Sequence, residues 1–221
     1  MNVKLVSYSQ PTGEFRDMGI ADAQELIAYC ARVSNPTNQL NTESSEKLIR
    51  YLVRHQHWSP LEMVSACCEI TTTRDIARQI LRHRSFSFQE FSQRYADPTK
   101  DLKFVTREAR LQDPKNRQNS VEVEDQQLQN EWYRAQQRVI YAAQREYEWA
   151  IKNGIAKEQA RAVLPEGLIE SRLYMNGTLR SWIHFIELRS GNGTQKEHQL
   201  IALACAKAIA AIFPMSESLV Q

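Results

Sequence analysis

Residues 77–97 read ARQILRHRSFSFQEFSQRYAD, a short stretch that carries four arginines and four aromatic residues. The spacing predicts a helix over residues 75–83, which contains the first part of this stretch. On such a helix Gln79, Arg82 and His83 are three and four residues apart, so their side chains share one face. The three side chains can therefore bind one ligand together.

The residues that follow this helix supply several kinds of polar group within a few positions. Guanidinium groups pair with phosphate, hydroxyls bind phosphate oxygens, and amide and carboxylate groups bind ring edges and sugars. The side chains concerned are Arg84, Ser85, Ser87, Gln89, Glu90, Ser92 and Arg94. This set is typical of a nucleotide site. Composition alone favours a solvated helix end with surface arginines, because charge runs are usually solvated faces.

The segment before the arginines is predicted to mix strands and helices. Residues 3–8 alternate weakly as a first strand, and helical spacing predicts helices over residues 21–33 and 43–55. Residues 63–73 are rich in β-branched side chains and alternate as a half-buried strand does. The predicted inner face of that strand carries Val64, Ala66, Cys68 and Ile70.

The segment after the arginines is predicted to be mainly helical. Residues 97–120 are polar and are expected to form a mobile loop or flap. Residues 121–153 have apolar side chains at steps of three and four, which predicts one long amphipathic helix that ends at Gly154. A strand over residues 169–176 leads to Thr178, which can cap the next helix. The whole pattern predicts an α+β fold in which helices dominate.

The overall composition is that of a folded globular protein. Of 221 residues, 42% are hydrophobic and 24% are charged, and this length predicts a single domain over residues 1–221. Arginines make up 19 of the 28 basic residues while the net charge is only +2, which favours specific anion sites. The four cysteines have no metal-ligand spacing and are predicted to be reduced, buried thiols. Without a signal peptide or a long apolar run, the protein is expected to be cytoplasmic and to have no membrane contact.

One motif resembles the signature of a known enzyme family. Arg82-His83-Arg84 is followed after seven residues by Ser92, which resembles the RHR-x7-S signature of the flavin-dependent thymidylate synthases. Further landmarks of that family recur in order along nearly the whole chain: ARVS at 31–34, HWSPLE at 57–62, ARQ at 77–79, ARAVLP at 160–165, Arg180 and Arg189. The resemblance implies the fold of that family, a helix-rich single domain with a central, mostly antiparallel sheet.

The resemblance also implies a reaction and an assembly. In that family dUMP takes a one-carbon unit from methylenetetrahydrofolate, FAD reduced by NADPH supplies the reducing equivalents, and tetrahydrofolate is released with dTMP. No cysteine nucleophile is needed. Members of that family are homotetramers whose active sites are shared between subunits, so the resemblance implies the same assembly here.

The resemblance assigns ligands to individual positions. It implies that the flavin contacts Ser34, Ser59, Arg82, His83, Arg84, Gln89, Glu90, Thr178, Leu179, Arg180 and His184. It implies that dUMP contacts Gln79, Arg82, Glu90, Phe91, Ser92, Gln93, Arg94, Arg161 and Arg189. Arg94 and Arg161 are the expected phosphate ligands. Arg189 is the expected catalytic residue, because its guanidinium would stabilise negative charge on the uracil ring. The chain departs from the family's usual asparagine, asparagine and histidine at Thr178, His184 and Gly193.

Two other classes of function use the same residues. An RNA or single-stranded nucleic-acid binding module would place phosphates on the arginines and stack bases on the neighbouring aromatic rings. The low net charge disfavours this alternative, since such domains usually carry a strongly basic face. A nucleotide hydrolase without flavin would need clustered carboxylates to hold magnesium, and the sequence shows no such cluster.

Single residues also have alternative roles. Ser92 could be a nucleophile activated by His83, but the sequence identifies no third group to orient that base, so Ser92 is assigned to phosphate or uracil binding. His83 could instead be a structural histidine at a helix end. His55 and His57 could suggest a metal, but two residues two apart on a helix face different sides, so no metal site is predicted. Helix packing is the expected role of His198, Trp132 and Trp149.

Overall fold

A four-stranded antiparallel sheet lies at the centre of the computed structural model, which describes residues 1–220. Its strands are β1 (Asn2–Tyr8), β2 (Ser65–Thr73), β3 (Ser87–Glu90) and β6 (Glu170–Thr178), in the order β1-β2-β6-β3. The short strands β4 (Arg110–Gln112) and β5 (Ser120–Glu122) form a separate hairpin. The longest pairing joins β2 to β6, from Ser65 opposite Thr178 to Thr73 opposite Glu170. The predicted α+β class with an antiparallel central sheet is confirmed.

Helices pack around this sheet. They are α1 (Gly13–Asp17), α2 (Ala23–Ala31), α3 (Ser45–Arg54), α4 (Arg74–Ile80), α5 (Pro98–Asp101), α6 (Gln126–Lys152), α7 (Lys157–Ala160), α8 (Leu179–Ser190) and α9 (Lys196–Ile209). Two of them, the short α1 and α5, were not predicted. Short 3-10 turns occupy Pro36–Asn38, Ser59–Glu62, Arg161–Val163 and Pro214–Leu219. Asp22 and Asp125 begin α2 and α6 with side chains that accept a backbone N–H three residues on, because the first N–H groups of a helix lack partners within it.

The core lies between one face of the sheet and helices α8 and α9. Ala66, Cys68 and Ile70 of β2 are fully buried there, as the alternation predicts. The buried Trp182 of α8 packs in the same cluster and donates an indole N–H to the Ala66 carbonyl at 3.0 Å. A buried indole usually needs such a partner. This bond fixes α8 against β2 and thereby fixes Arg189 near the end of α8.

Gly177 in β6 allows a close approach of the chain that follows the arginines. A β-carbon at this position would lie 2.5 Å from Cδ1 of Phe86, a distance well inside van der Waals contact. The Phe86 ring is buried and also contacts Trp182 edge-on, with ring centroids 4.9 Å apart. Glycine therefore lets Phe86 anchor the turn between α4 and β3 to the core.

Three predicted element bounds are wrong. The helix predicted to reach His83 ends at Ile80. Residues 97–120 are not a structureless loop, because they include α5, β4 and the bridge between Phe104 and Ile169. The long helix begins at Gln126, since the residues predicted as its first turn form β5 instead and Asp125 caps the helix. Tight turns end α4 after Ile80, whereas backbone pairing, which local spacing does not encode, accounts for β4, β5 and the Phe104 bridge.

Two packing predictions for side chains are also wrong. The α6 residues Trp132 and Trp149 are 44% and 57% exposed, and so they do not pack into this chain's core. The four cysteines are free, but only Cys68 and Cys205 are buried, while Cys30 and Cys67 are half-buried. Within residues 1–220, no helix combines the length and the apolar character needed to cross a membrane.

Candidate active site

The run Arg82-His83-Arg84 lies in the turn that joins α4 to β3. Beyond Ile80 the chain continues in tight turns, in which the N–H groups of Arg82 and His83 donate to carbonyls three residues earlier. Arg82 and Arg84 are exposed, whereas His83 is half-buried against the Phe185 ring of α8, with ring centroids 5.0 Å apart. The turn thus displays two guanidinium groups and directs the imidazole inwards.

His83 contacts Arg189, the predicted catalytic residue, from the opposite side of the site. Arg189 Nε donates to His83 Nε2 at 2.9 Å, so this ring nitrogen carries a lone pair and the imidazole is neutral. Burial, followed by the charges of Arg189 and Arg82, lowers the His83 pKa to about 4. His83 therefore acts as a neutral acceptor that orients the Arg189 guanidinium at neutral pH.

The cations of this group lack anionic partners. Burial, followed by the charge of Arg82, lowers the Arg189 pKa, so the two guanidinium groups lie close enough to repel each other. Within residues 1–220, neither Arg82, Arg84 nor Arg189 forms an ion pair with a carboxylate. An anionic ligand would relieve the repulsion and fill the bidentate donor positions. The residues fit a phosphate-bearing cofactor or substrate.

Gln79, a predicted dUMP ligand, lies in the same region and is held by two residues at the start of α9. Its Nε2 donates to Gln195 Oε1 at 2.8 Å, and its Oε1 lies 3.2 Å from His198 Nδ1. His198 is fully buried, and its ring contacts that of His83 with centroids 6.2 Å apart. The prediction that His198 serves only helix packing is therefore incomplete. Spacing in the sequence carries no signal for this contact, because 119 residues separate the two side chains.

Glu90, predicted to contact both ligands, is fixed by two neighbours. Ser171 Oγ donates to Glu90 Oε1 at 2.7 Å, and Arg74 Nη1 lies 3.5 Å from the same oxygen. The adjacent Gln89 is exposed on the other face of β3, since side chains alternate along a strand. Gln89 and Glu90 therefore do not share one face of β3.

The predicted phosphate ligands Arg94 and Arg161 form a second group. Both meet Glu158 of α7: Arg94 Nε lies 3.5 Å from its carboxylate, and Arg161 Nε donates to its carbonyl at 3.2 Å. Gln93 beside them is almost fully buried, and its Nε2 has no hydrogen-bond partner in the described chain. A buried amide without a partner is costly, so this group also fits a polar ligand.

Phe91 and Ser92 lie between the end of β3 and Arg94 of this second group. Phe91 extends the sheet by one bond, from its N–H to the Arg172 carbonyl at 2.8 Å. Ser92 begins a turn in which its hydroxyl accepts the Arg94 N–H at 3.3 Å. No histidine contacts the Ser92 hydroxyl within residues 1–220, so the geometry lacks the base that a serine nucleophile needs.

Several predicted flavin residues line a small pocket of about 340 Å³. Thr178, Arg180 and His184 line it together with Glu62, Ser85 and Ser181, which were not predicted to contact the flavin. Arg180 pairs with Glu62, and the His184 ring contacts Trp58 with centroids 4.5 Å apart. Thr178 caps α8 as predicted, through a 3.4 Å bond from the Ser181 N–H. The helix start thus brings distant parts of the chain to one pocket.

Three other predicted flavin residues, Leu179, Ser34 and Ser59, do not line this pocket. Leu179 is fully buried and its N–H donates to the Val64 carbonyl at 2.9 Å, so it serves the start of α8. Ser34 and Ser59 are exposed in the turns after α2 and α3. No hydrogen bond joins either serine to the other predicted residues within the described chain. Their exposed hydroxyls are therefore not tied to the other predicted residues by hydrogen bonds.

A larger cavity lies beside the predicted residues without including any of them. It has a volume of about 860 Å³ and lies between the β4–β5 hairpin, the start of α6 and the residues before α9. Arg110, Lys196 and Trp132 are among its lining residues. In the part of the chain that the structure describes, no three His, Cys, Asp or Glu side chains are placed to hold a metal ion.

The antiparallel sheet and the helices around it define an α+β protein, in which Arg82 and Arg189, without carboxylate partners in the described chain, lie between α4 and α8. Residues 18–215 match the family described as "Thymidylate synthase complementing protein". The chain is 48% identical over 217 residues to a probable flavin-dependent thymidylate synthase of Paramecium bursaria Chlorella virus 1, covering 97% of this chain and 96% of the viral protein. The chain belongs to the flavin-dependent thymidylate synthase family.

Two further comparisons agree with this assignment. A flavin-dependent thymidylate synthase of Synechocystis sp. is 48% identical over 214 residues, covering 97% of this chain and 96% of that protein. The crystal structure of a UMP/dUMP methylase, PolB from Streptomyces cacaoi, bound with 5-Br dUMP, is similar with a TM-score of 0.80 and 27% identity. That comparison covers 99% of this chain and 93% of PolB.

Proposed function

We propose that this protein methylates dUMP to dTMP, with methylenetetrahydrofolate as the carbon donor and FAD reduced by NADPH as the source of reducing equivalents, releasing tetrahydrofolate. Family membership supports the reaction class, and the names of the relatives support flavin dependence. The observation that carries the proposal in this chain is the 2.9 Å contact of Arg189 with the neutral His83, beside guanidinium groups that have no carboxylate partner. The whole chain, residues 1–221, would act as one domain.

The flavin is proposed to lie along the RHR turn and the small pocket at the start of α8. Arg82 and Arg84 would pair with its phosphates, and His83 would border it together with Gln89 and Glu90. Thr178, Leu179, Arg180 and His184 would complete this side, and Ser34 and Ser59 would reach it from the turns after α2 and α3. When bound, the flavin supplies reducing equivalents. The side chains named above would bind and orient it.

The uracil end of dUMP is proposed to lie against Gln79, Glu90 and Arg189. Fixed cations act strongly in a site that excludes water, so the Arg189 guanidinium would stabilise negative charge on the ring and make C5 more nucleophilic. The hydrogen bond from Arg189 Nε to His83 leaves the Nη groups of the guanidinium for the substrate. Phe91, Ser92 and Gln93 would line the path from the ring towards the phosphate, and Arg82 would contact both ligands.

No cysteine is proposed to act as a nucleophile. Burial and the neighbouring Cys67 raise the Cys68 pKa to about 12, and burial raises the pKa of Cys205 far above its usual value. Burial also raises the pKa of Cys30 and Cys67. Since the thiolate is the reactive form, these thiols are poorly suited to attack uracil. Free thiols suit a reducing compartment, and we place the reaction in the cytoplasm.

The active site is proposed to be shared between subunits of a homotetramer. Within residues 1–220 no hydrogen bond or ion pair joins the Arg94 and Arg161 group to the Arg82 and Arg189 group. The phosphate of dUMP would therefore be held by Arg94 and Arg161 of a neighbouring copy. The exposed tryptophans of α6 support an assembly, because large exposed apolar side chains often mark interfaces.

A reconstituted reaction tests the proposal. The purified protein should be yellow, with flavin absorption, and should form dTMP from dUMP only when methylenetetrahydrofolate and NADPH are both present. The same sample should show no salt-sensitive binding of single-stranded RNA or DNA. A colourless protein that binds single-stranded nucleic acid would instead support the binding-module alternative.

A further inference from the structure

A chain of hydrogen bonds connects the β4–β5 hairpin to Gln79. Arg110 donates to Glu197 Oε1 in a nearly buried ion pair. Glu197 Oε2 accepts from Gln195 Nε2 at 2.9 Å, and Gln195 Oε1 accepts from Gln79 Nε2 at 2.8 Å. The chain ends where Gln79 Oε1 lies 3.2 Å from His198 Nδ1. Five side chains from three separate parts of the sequence are thus joined in one line.

The chemistry of the first two members fixes the direction of every later bond. Arginine can only donate and an ionised carboxylate can only accept, so Gln195 must turn its amide nitrogen towards Glu197. Its oxygen then faces Gln79, which must present nitrogen to Gln195 and oxygen to His198. His198 therefore has to donate from Nδ1. The proton on Nδ1 leaves Nε2 as a bare acceptor in the neutral ring.

The surroundings of His198 agree with this tautomer. Its Nε2 is buried and has no hydrogen-bond partner in the described chain. Burial, followed by the charges of Arg189 and His83, lowers the His198 pKa to about 3, so the ring is neutral at neutral pH. The Phe185 and His83 rings pack against it, with centroids 5.7 and 6.2 Å away. A neutral imidazole has one donor and one acceptor, and here the donor is committed to Gln79.

We infer that Glu197 and His198 are positioning residues that hold the Gln79 amide in one orientation and thereby make the site selective for uracil over cytosine nucleotides. This inference rests on the proposed binding of dUMP by Gln79. The locked amide keeps one free Nε2 hydrogen and one free Oε1 lone pair. Uracil presents a carbonyl acceptor beside its N3–H donor, which matches these groups, whereas cytosine presents an amino donor beside an N3 acceptor. An amide turned by 180° would match cytosine instead.

Binding of dUMP and dCMP to the flavin-loaded protein, followed by the change in flavin absorption, tests this role. His198→Leu removes the Nδ1 donor, and Glu197→Gln must turn its amide oxygen to Arg110 and its nitrogen to Gln195, which reverses the direction of the chain. Each variant should bind dUMP about tenfold more weakly and lose about tenfold of its preference over dCMP, as expected when one directed hydrogen bond is lost. His198→Asn keeps a donor at the place of Nδ1 and should retain most of the affinity. Glu122→Gln, at an exposed carboxylate that pairs with Lys196, is the matched control and should behave as the parent.

Parental affinity and preference in both His198→Leu and Glu197→Gln would overturn the inference, as would a His198→Asn variant as weak as His198→Leu. Gln79→Ala distinguishes failure of the proposed dUMP placement from failure of the positioning role. If it leaves dUMP affinity unchanged, the proposed placement of dUMP is wrong. If it weakens dUMP binding while His198→Leu does not, only the positioning role fails.

A second measurement reads the His198 tautomer directly in the parent protein and uses variants only to assign the signals. The chain has five histidines, so nitrogen-15 labelling of histidine gives few imidazole signals, and single asparagine replacements assign them. Long-range proton–nitrogen spectra should show His198 with hydrogen on Nδ1 and a bare Nε2. A hydrogen on Nε2 in the parent protein would reverse the direction of the chain and contradict the inference.

Discussion

Arg189 Nε donates to His83 Nε2 at 2.9 Å across 106 residues of sequence, which joins the end of α8 to the RHR turn. Because both residues are partly buried and the imidazole is neutral, the guanidinium charge is not cancelled by its partner. A fixed cation with free donors is the arrangement that stabilises developing negative charge. The contact therefore connects the fold to the proposed chemistry.

Replacement of Arg189 should affect catalysis far more than flavin content. Arg189→Ala is expected to lose about 2.7–4 kcal/mol of transition-state stabilisation, by analogy with removal of one oxyanion donor. Arg189→Lys should recover only part of that loss, because lysine lacks the planar fork. Single-turnover dTMP formation and flavin absorbance measure the two effects. Near-parental turnover in Arg189→Ala would contradict the catalytic role and would leave Arg189 only a stabilising charge at the end of α8.

Flavin binding should depend on Arg82 and not on a neighbouring arginine of α4. Arg82→Ala is expected to purify with little flavin, because an exposed guanidinium without a carboxylate partner is free to bind phosphate. Arg78→Ala is the matched control, since Arg78 is also exposed but already pairs with Glu166 at 2.7 Å. The ratio of flavin to protein absorbance gives the result. Equal flavin content in both variants would contradict the assignment of Arg82.

Subunits with different defects should restore each other's activity if the site is shared. Arg82→Ala and Arg161→Ala should each be inactive alone, because one removes a flavin and dUMP ligand and the other a phosphate ligand. A mixed oligomer should contain some sites with both arginines intact, one from each subunit. We expect activity to return on mixing and light scattering to give the mass of four chains. A fully active monomer, or mixed oligomers without activity, would exclude a shared site.

Gly177→Ala should destabilise the fold through Phe86. An added β-carbon would lie 2.5 Å from that ring, and forced repacking of this kind costs about 1–3 kcal/mol. For a domain of this size each kcal/mol lowers the melting temperature by about 2–4 °C. Gly13→Ala is the control, because open space surrounds that position. A Gly177→Ala protein that melts with the parent would show that Phe86 moves aside freely.

Stability should fall on the acid side through His198. Its folded pKa of about 3 lies below the ordinary value of 6.5, so between these values the unfolded chain binds more protons than the folded one. The free energy of unfolding therefore decreases as the pH falls from 6.5 towards 3. His198→Asn should show a smaller decrease over that window in urea titrations. An identical pH dependence in the variant would mean that His198 titrates normally.

Local spacing was enough to predict the longer helices, the strands β1, β2 and β6, and the buried face of β2, but not β3, β4, β5, α1 or α5. The alternation of β2 and the helical repeat of α2 each reflect which side of a single element is buried, and a short window of sequence contains that information. The RHR run followed by Ser92 likewise lies within one segment. Element ends were less predictable, because β4 and β5 form only by pairing with each other.

The sequence by itself determined the α+β class, the family resemblance and the residue types available to the site. Only the tertiary structure decided that His83 meets Arg189 and that Gln79 meets His198. These contacts depend on the register of β2 with β6 and on how α8 and α9 pack against the sheet. Such relations join residues about a hundred positions apart, and neither helical nor strand periodicity encodes them.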